Sequence, residues 1–354
     1  MNPFRRPSAQ KDQARMKTLL QRFRRDCGWI GLAAVLLGAS WNPVPAQEAS
    51  FPKKTGVQSP GIQHAMEELP RAATIAVKGD PDWLAATSDA VWHTSERTDS
   101  VVRLDAKTNH PGTVVTVHKP CSGLAVGFGS MWITSCGDKS VVRVDARTGA
   151  VLVTIPAGPA DSEGGITTGA GSVWLVTSAK GGEGGGELTR IDATTNKVAA
   201  TIKIPAGSFN PLFAERSVWV SSNSGGVLVR IDPETNKVVD STAVGPMPRF
   251  LAYGAGSIWV LNQGDGTVSR VNAKTGKLEA TIAAGIPGHG GEITFGAGSA
   301  WATEMEFPLT RIDAKTNKVV AQWHGAGGDS VRYAFGSVWL TDLKGGKVWR
   351  IKVP

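Results

Sequence analysis

Helical periodicity is scarce in this chain of 354 residues, and its longest apolar run, Trp29 to Leu37, is too short to cross a bilayer. A helical bundle and a membrane-spanning protein are both disfavoured. The signatures of several enzyme classes are missing too: there is no His-Glu-x-x-His zinc pair, no phosphate-cradling glycine loop that opens a helix, no Cys-x-x-Cys-His haem attachment and no Gly-x-Ser-x-Gly elbow. Cysteine is sparse at three residues, and none has the Cys or His neighbours that a zinc site needs.

Charge also says less than its total suggests. The formal net charge is +8, but residues 1–46 hold eight basic side chains against Asp12 and Asp26. What remains is too nearly neutral to draw in a polyanion, so nucleic acid is not an expected partner. The N-terminal segment has the layout of a secretory signal. A basic stretch ends at Arg22-Phe23-Arg24-Arg25, an apolar run follows, and Val44-Pro45-Ala46 is a small-residue exit. Cleavage is expected after Ala46, with a retained anchor as the alternative, and translation starts at Met1 or Met16. Ordinary export fits better than a twin-arginine route, because Asp26-Cys27-Gly28 follows the arginine pair. The mature protein is then expected in the periplasm or outside the cell, as a monomer with no stable membrane span.

Glycine is abundant at 43 residues, with 20 prolines, which favours many short strands joined by tight turns. Seven tryptophans recur at nearly even spacing: Trp92, Trp132, Trp174, Trp219, Trp259, Trp301 and Trp339. Five follow a Gly-Ser-apolar tripeptide, as in Gly171-Ser172-Val173-Trp174. Roughly ten residues later comes a second phrase, such as LTRIDATTNKV from Leu188 or LTRIDAKTNKV from Leu309. Its Asp and Thr can cap a turn, and its Asn or Gly accepts a left-handed backbone. Four short strands per repeat, repeated radially, give an all-β fold: a seven-bladed β-propeller of four-stranded antiparallel blades. The last copy stops after its third strand, and Ala73 to Val77 matches the fourth strands of other repeats. An N-terminal strand is therefore expected to complete the last blade and remove the open edges. Residues 47–71 read as a flexible lead-in with a short helical turn near His64 to Leu69, and 72–354 as the propeller.

Within the repeat, the Trp row and the Arg row (Arg103, Arg143, Arg190, Arg230, Arg270, Arg311, Arg350) are read as packing and not as binding. Cys121 and Cys136 fall near one end of two adjacent strands, placed either for a disulfide or as two unpaired thiols. Departures from the repeat carry the functional signal. Positions before each first strand and after each second strand should converge on one mouth of the channel, and there the chain places Asp82, Asn210, Arg249, Asn262, Asp329 and Asp342. Blade six is the most irregular, with His289, Glu292 and Glu304 close in sequence. Such carboxylates beside an imidazole could hold Mg²⁺ or Ca²⁺ at Glu292 and Glu304, with His289 as a general base. His93 interrupts an apolar row and reads as a hydrogen-bonded core histidine.

Gly-Ser-Val-Trp followed by Arg-Ile-Asp-x-x-Thr-Asn-Lys-Val is similar to the YVTN-type propeller repeats of bacterial exported and surface proteins. The pattern also resembles the virginiamycin B lyase-like propellers over residues 73–354. That second resemblance implies Mg²⁺-assisted lyase chemistry, in which a catalytic His precedes the Glu of a Trp-Phe-Thr-Glu phrase. Here His289 precedes Glu304 of Trp301-Ala302-Thr303-Glu304 by fifteen residues. The family's metal-binding Glu two residues before that His is Pro287 in this chain. The expected function is binding of a small ligand or a periplasmic partner protein at the channel mouth without catalysis, with a metal-assisted lyase or lactonase as the alternative.

Overall fold

A computed structural model describes residues 51–121, 123–160, 164–178 and 185–353. The expected export signal, residues 1–46, lies outside the described residues. No α-helix is present among those described, only a single 3-10 turn at Met66–Glu68, and the strands form an all-β propeller.

The second blade shows the unit. Leu124–Gly127, Ser130–Ser135, Ser140–Asp145 and Val151–Ile155 pair in sequence order, each antiparallel to the last. Every one of the seven tryptophans occupies the second strand of such a four-stranded unit. Two units share a single sheet of seven strands. The long strand Lys197–Ala214 is the outer strand of one through Lys197 to Lys203, and the inner strand of the next through Pro211 to Ala214. Arg71–Ala76 supplies the fourth strand of the last blade, pairing Ala73 with Arg350 and Ile75 with Val348.

The tryptophans are wedges. All seven are at most 1% exposed, and Trp132, Trp174, Trp219, Trp259, Trp301 and Trp339 each donate Nε1 to the carbonyl five residues earlier at 3.0 to 3.3 Å. Above each of these six lies the arginine of the following phrase, for example Arg143 at 4.7 Å from the Trp132 ring. Its Nε donates to Ser130 Oγ at 2.8 Å, which explains the serine of the Gly-Ser phrase. Its Nη1 reaches the next blade's turn, at Ala193 O and Asn196 Oδ1, both 2.7 Å.

The same clamp recurs wherever the next turn ends in Asn, as in Arg190 to Asn236 and Arg270 to Asn317. Where Gly276 replaces Asn, Arg230 keeps only the Lys274 carbonyl. Arg350 of the last blade reaches Asn109 Oδ1 of the first at 3.1 Å, so the ring is closed by the same device. In the turns, Asp145 accepts from Thr148 N, Thr148 Oγ1 and Arg147 N. These bonds hold its carboxyl below the usual range, the Thr148 amide contributing most.

Residues ahead of the closing strand lie along blade six. Gln63–Ala65 adds a fifth strand, parallel to Lys318–His324, and Val57 N donates to Gln322 Oε1 at 2.6 Å. The amides of Thr55 and Gly56 reach Gly285 O, and Lys54 extends to Glu304.

Cys121 and Cys136 are joined in a disulfide, with Cα atoms 5.8 Å apart and a sequence separation of 15. A closed loop of this length restricts the unfolded chain by about 3 kcal/mol. Cys136→Ser is therefore expected to lower thermal stability by several degrees, and adding reductant to the wild type should reproduce the shift in calorimetry; no shift in either would show that the bond adds nothing.

Candidate functional site

The first strand of each blade faces the central channel. Trp83, just ahead of the strand Leu84–Ala86, swings across it and meets Phe250 of the fifth blade, ring centroids 5.8 Å apart. Trp83 fits there because Gly123 leaves room for its ring; a Cβ on Gly123 would come within 3.2 Å of it. Along the first strands from this closure runs a cavity of about 270 Å³. Its walls include Leu124, Val126, Ile166, Thr168, Leu212 and Leu251, and Asn210, Glu292 and Arg332 supply polar groups.

The polar floor is a network across three blades. Arg332 Nη2 donates to Glu292 Oε1 at 2.7 Å, and its Nε to Leu84 O at 3.1 Å. Glu292 Oε2 accepts from Val331 N at 3.0 Å and from the Ser330 hydroxyl, which itself accepts from Leu84 N at 3.0 Å. Burial pushes the Glu292 carboxyl up, and Arg332 and these donors pull it back.

A smaller void of about 10 Å³ is lined by Asp82, Trp83, Gly291, Glu292, Asp329 and Ser330. Burial pushes Asp329 up, and a hydrogen bond from Asp82 counters the shift. Two carboxyls in a hydrogen bond require that one of them carry a proton.

Glu304 sits in a separate network. Its side chain is 1% exposed and held by Lys54 Nζ at 3.2 Å, while Lys54 also donates to Met305 O at 2.7 Å. Burial raises the Glu304 carboxyl and Lys54 offsets it. His289 is exposed, its ring edge-on to Phe51 with centroids 4.5 Å apart. Among the described residues no three His, Cys, Asp or Glu side chains are grouped to hold a metal ion. The donor chemistry agrees: both Glu292 oxygens accept from Arg332, Ser330 and Val331 N, and Glu304 Oε1 from Lys54 and Met305 N, which leaves only the buried Glu304 Oε2, one oxygen where Mg²⁺ or Ca²⁺ takes about six or more.

Of the other residues expected at the mouth, Asn210 lines the cavity and donates Nδ2 to Arg249 O at 3.2 Å. The Arg249 guanidinium lies 4.1 Å from the Phe209 ring. Asn262 and Asp342 do not line the cavity. Asn262 is fully buried and donates to Thr267 Oγ1 and Ser269 Oγ, tying its own hairpin, and Asp342 Oδ1 accepts from Gly345 N in the equivalent turn. The row three positions after each Trp caps turns and the connection entering the blade; Ser135, for instance, donates to His118 O at 2.5 Å. His93 is fully buried, its Nδ1 3.0 Å from Thr94 O, and burial pushes its pKa down.

Arg332 and Trp83 are the residues that sequence reading passed over. Trp83 was visible as the one tryptophan in a row of Gly, Asn, Phe, Glu and Ser nine positions before each repeat Trp. Arg332 lies in the middle of a first strand, where no turn or mouth position called attention to it.

No protein-family model matches the sequence, and no curated protein matches it. Solved structures do resemble it. A streptogramin B lyase is 18% identical with a TM-score of 0.67, over 80% of this chain and 97% of that one. A hydrazine synthase from Kuenenia stuttgartiensis is 14% identical with a TM-score of 0.65, over 84% and 99%. BamB from Moraxella catarrhalis is 12% identical with a TM-score of 0.59, over 80% and 98%. At these identities the likeness is one of fold: the chain is a β-propeller built from four-stranded antiparallel blades.

Proposed function

We propose that this is an exported propeller that binds a small ligand in its central channel without transforming it. The cavity of about 270 Å³ carries the reading, because it joins an apolar wall to a few convergent polar groups at Arg332, Glu292 and Asn210. Its volume is close to that of nine waters at about 30 Å³ each, a size suited to a small organic molecule. Arg332 uses Nε and Nη2 within the protein, and the same guanidinium borders the cavity, where a carbonyl or carboxylate oxygen can accept from it. Export is supported by the signal-like layout of residues 1–46 and by the Cys121–Cys136 disulfide, which an oxidising compartment maintains.

Ligand-observed NMR with a set of small carbonyl and carboxylate fragments tests this directly. Fragments that bind the wild type should be released by Leu251→Trp, which fills the channel. If the wild type retains none of them, or the filled variant retains them all, the channel is not a ligand site.

A further inference from the structure

The two ends of the blades differ in what they expose. At one end lie the hairpins between first and second strands and the Asp-x-x-Thr turns; register places them together, as in the pairing of Ala90 with Asp105. Each of the first six blades presents an exposed basic side chain there: Lys107, Arg147, Lys197, Lys237, Lys277 and Lys318. The turn caps do not require them, since the Asp carboxyls bond to Thr hydroxyls and backbone amides.

The same end exposes aromatic rings. Phe128 is 45% exposed, Tyr253 39% and Phe335 38%. Phe128 and Phe335 are the less expected, because both stand at φ near +50°, where a bulky residue is strained. The equivalent tips in blades three, five and six are Ala170, Ala255 and Ala297, at φ of +49° or +50°. Hairpin formation thus asks for nothing larger than Ala, and Phe128 and Phe335 carry strain while a large part of each ring stays exposed. Half-buried Phe213, Phe295 and Tyr333 stand six positions before the repeat Trp in their blades, each against a glycine of the neighbouring blade, at Gly169, Gly254 and Gly296.

We infer that this end of the propeller docks on an anionic lipid surface. Basic groups distributed around the blades, at least one in each of the first six and all at one end, match a flat sheet of anionic headgroups better than a compact acidic patch on a protein. Aromatic side chains at the same level are suited to the interface between headgroups and acyl chains. Electrostatic attraction between Lys or Arg and anionic lipid supplies the affinity and makes it salt-dependent. Docking would also bring the channel, with its cavity, close to the membrane.

Vesicle co-sedimentation of the purified protein tests the inference. Phosphatidylglycerol vesicles should pellet the protein at low salt and release it at high salt, while phosphatidylcholine vesicles should leave it in solution. Lys197→Glu with Lys277→Glu should weaken the partition by about tenfold or more, and Phe128→Ser with Phe335→Ser should weaken it without changing the salt dependence. Lys119→Glu with Lys344→Glu, exposed at the other end of the blades, should have little effect. Failure to pellet with phosphatidylglycerol, or equal losses from both lysine pairs, would overturn the proposal. So would binding of polyglutamate through Lys197 and Lys277 by a protein that ignores vesicles, which would assign the face to an acidic protein.

Discussion

Arg332→Leu is expected to destabilise the protein by about 2–3 kcal/mol, by leaving the Glu292 carboxylate in the channel floor without its guanidinium. Breaking a fully buried pair costs about 3–5 kcal/mol, and the Arg332 side chain is 32% exposed, so solvent screening reduces the figure. The effect should depend on pH in a defined direction. Glu292 titrates above its ordinary value in the folded protein, because of burial. A carboxyl raised in this way favours the folded state at low pH and loses that support as pH climbs from the unfolded value, about 4.3, through the folded one. Removing Arg332 lifts the folded value further. The gap in melting temperature between variant and wild type should therefore be small near pH 4 and widen toward pH 8. A gap that stays constant across this range would mean that Arg332 stabilises by packing alone. Glu292→Gln in the Arg332→Leu background should recover part of the loss at pH 8, since the amide carries no charge to strand.

The architecture was legible because its determinants are local and repeated. Each Trp, Gly-Ser and Asp-x-x-Thr-Asn phrase performs one task where it recurs, and the tasks interlock: the serine and the asparagine are both acceptors for the arginine row. Even the exceptions follow from position. Arg311 lacks a turn acceptor because the fourth strand of the last blade comes from Arg71–Ala76 and brings no Asp-x-x-Thr turn with it.

The site was less legible, for a geometric reason. Sequence rows at fixed offsets from Trp identify equivalent places, but not whether a place faces the channel, a hairpin turn or the neighbouring blade. Glu304 and Asp342 depart from their row, which suggests a metal ligand and a mouth residue, yet Glu304 Oε1 accepts from Met305 N and Asp342 Oδ1 from Gly345 N in turns, and Glu304 meets Lys54, some 250 residues away in sequence. No pattern within the repeats could announce that contact. Nor could spacing reveal that Trp83 would cross the channel to Phe250, since this depends on the absence of a side chain at Gly123 in another blade.

Ile75→Asp should be the most damaging single change outside the tryptophan row. Ile75 is 5% exposed in the strand that completes the ring, paired with Val348 and packed with Leu84, Val91 and Trp339. Removing its side chain costs about 2–5 kcal/mol, and a carboxylate placed there must be either desolvated or protonated, at a further cost. The total approaches the entire stability of a typical domain, about 5–15 kcal/mol. The expected result is loss of the cooperative unfolding transition, with the last blade left at three strands and its outer edge open to aggregation. Thr74→Asp introduces the same charge one residue earlier, on the exposed side of the same strand, and should cost less than about 1 kcal/mol. The contrast isolates closure from charge. If Ile75→Asp unfolds cooperatively with a melting temperature close to that of Thr74→Asp, the ring does not depend on Arg71–Ala76, and the arginine clamp from Arg350 to Asn109 must hold the first and last blades together without it.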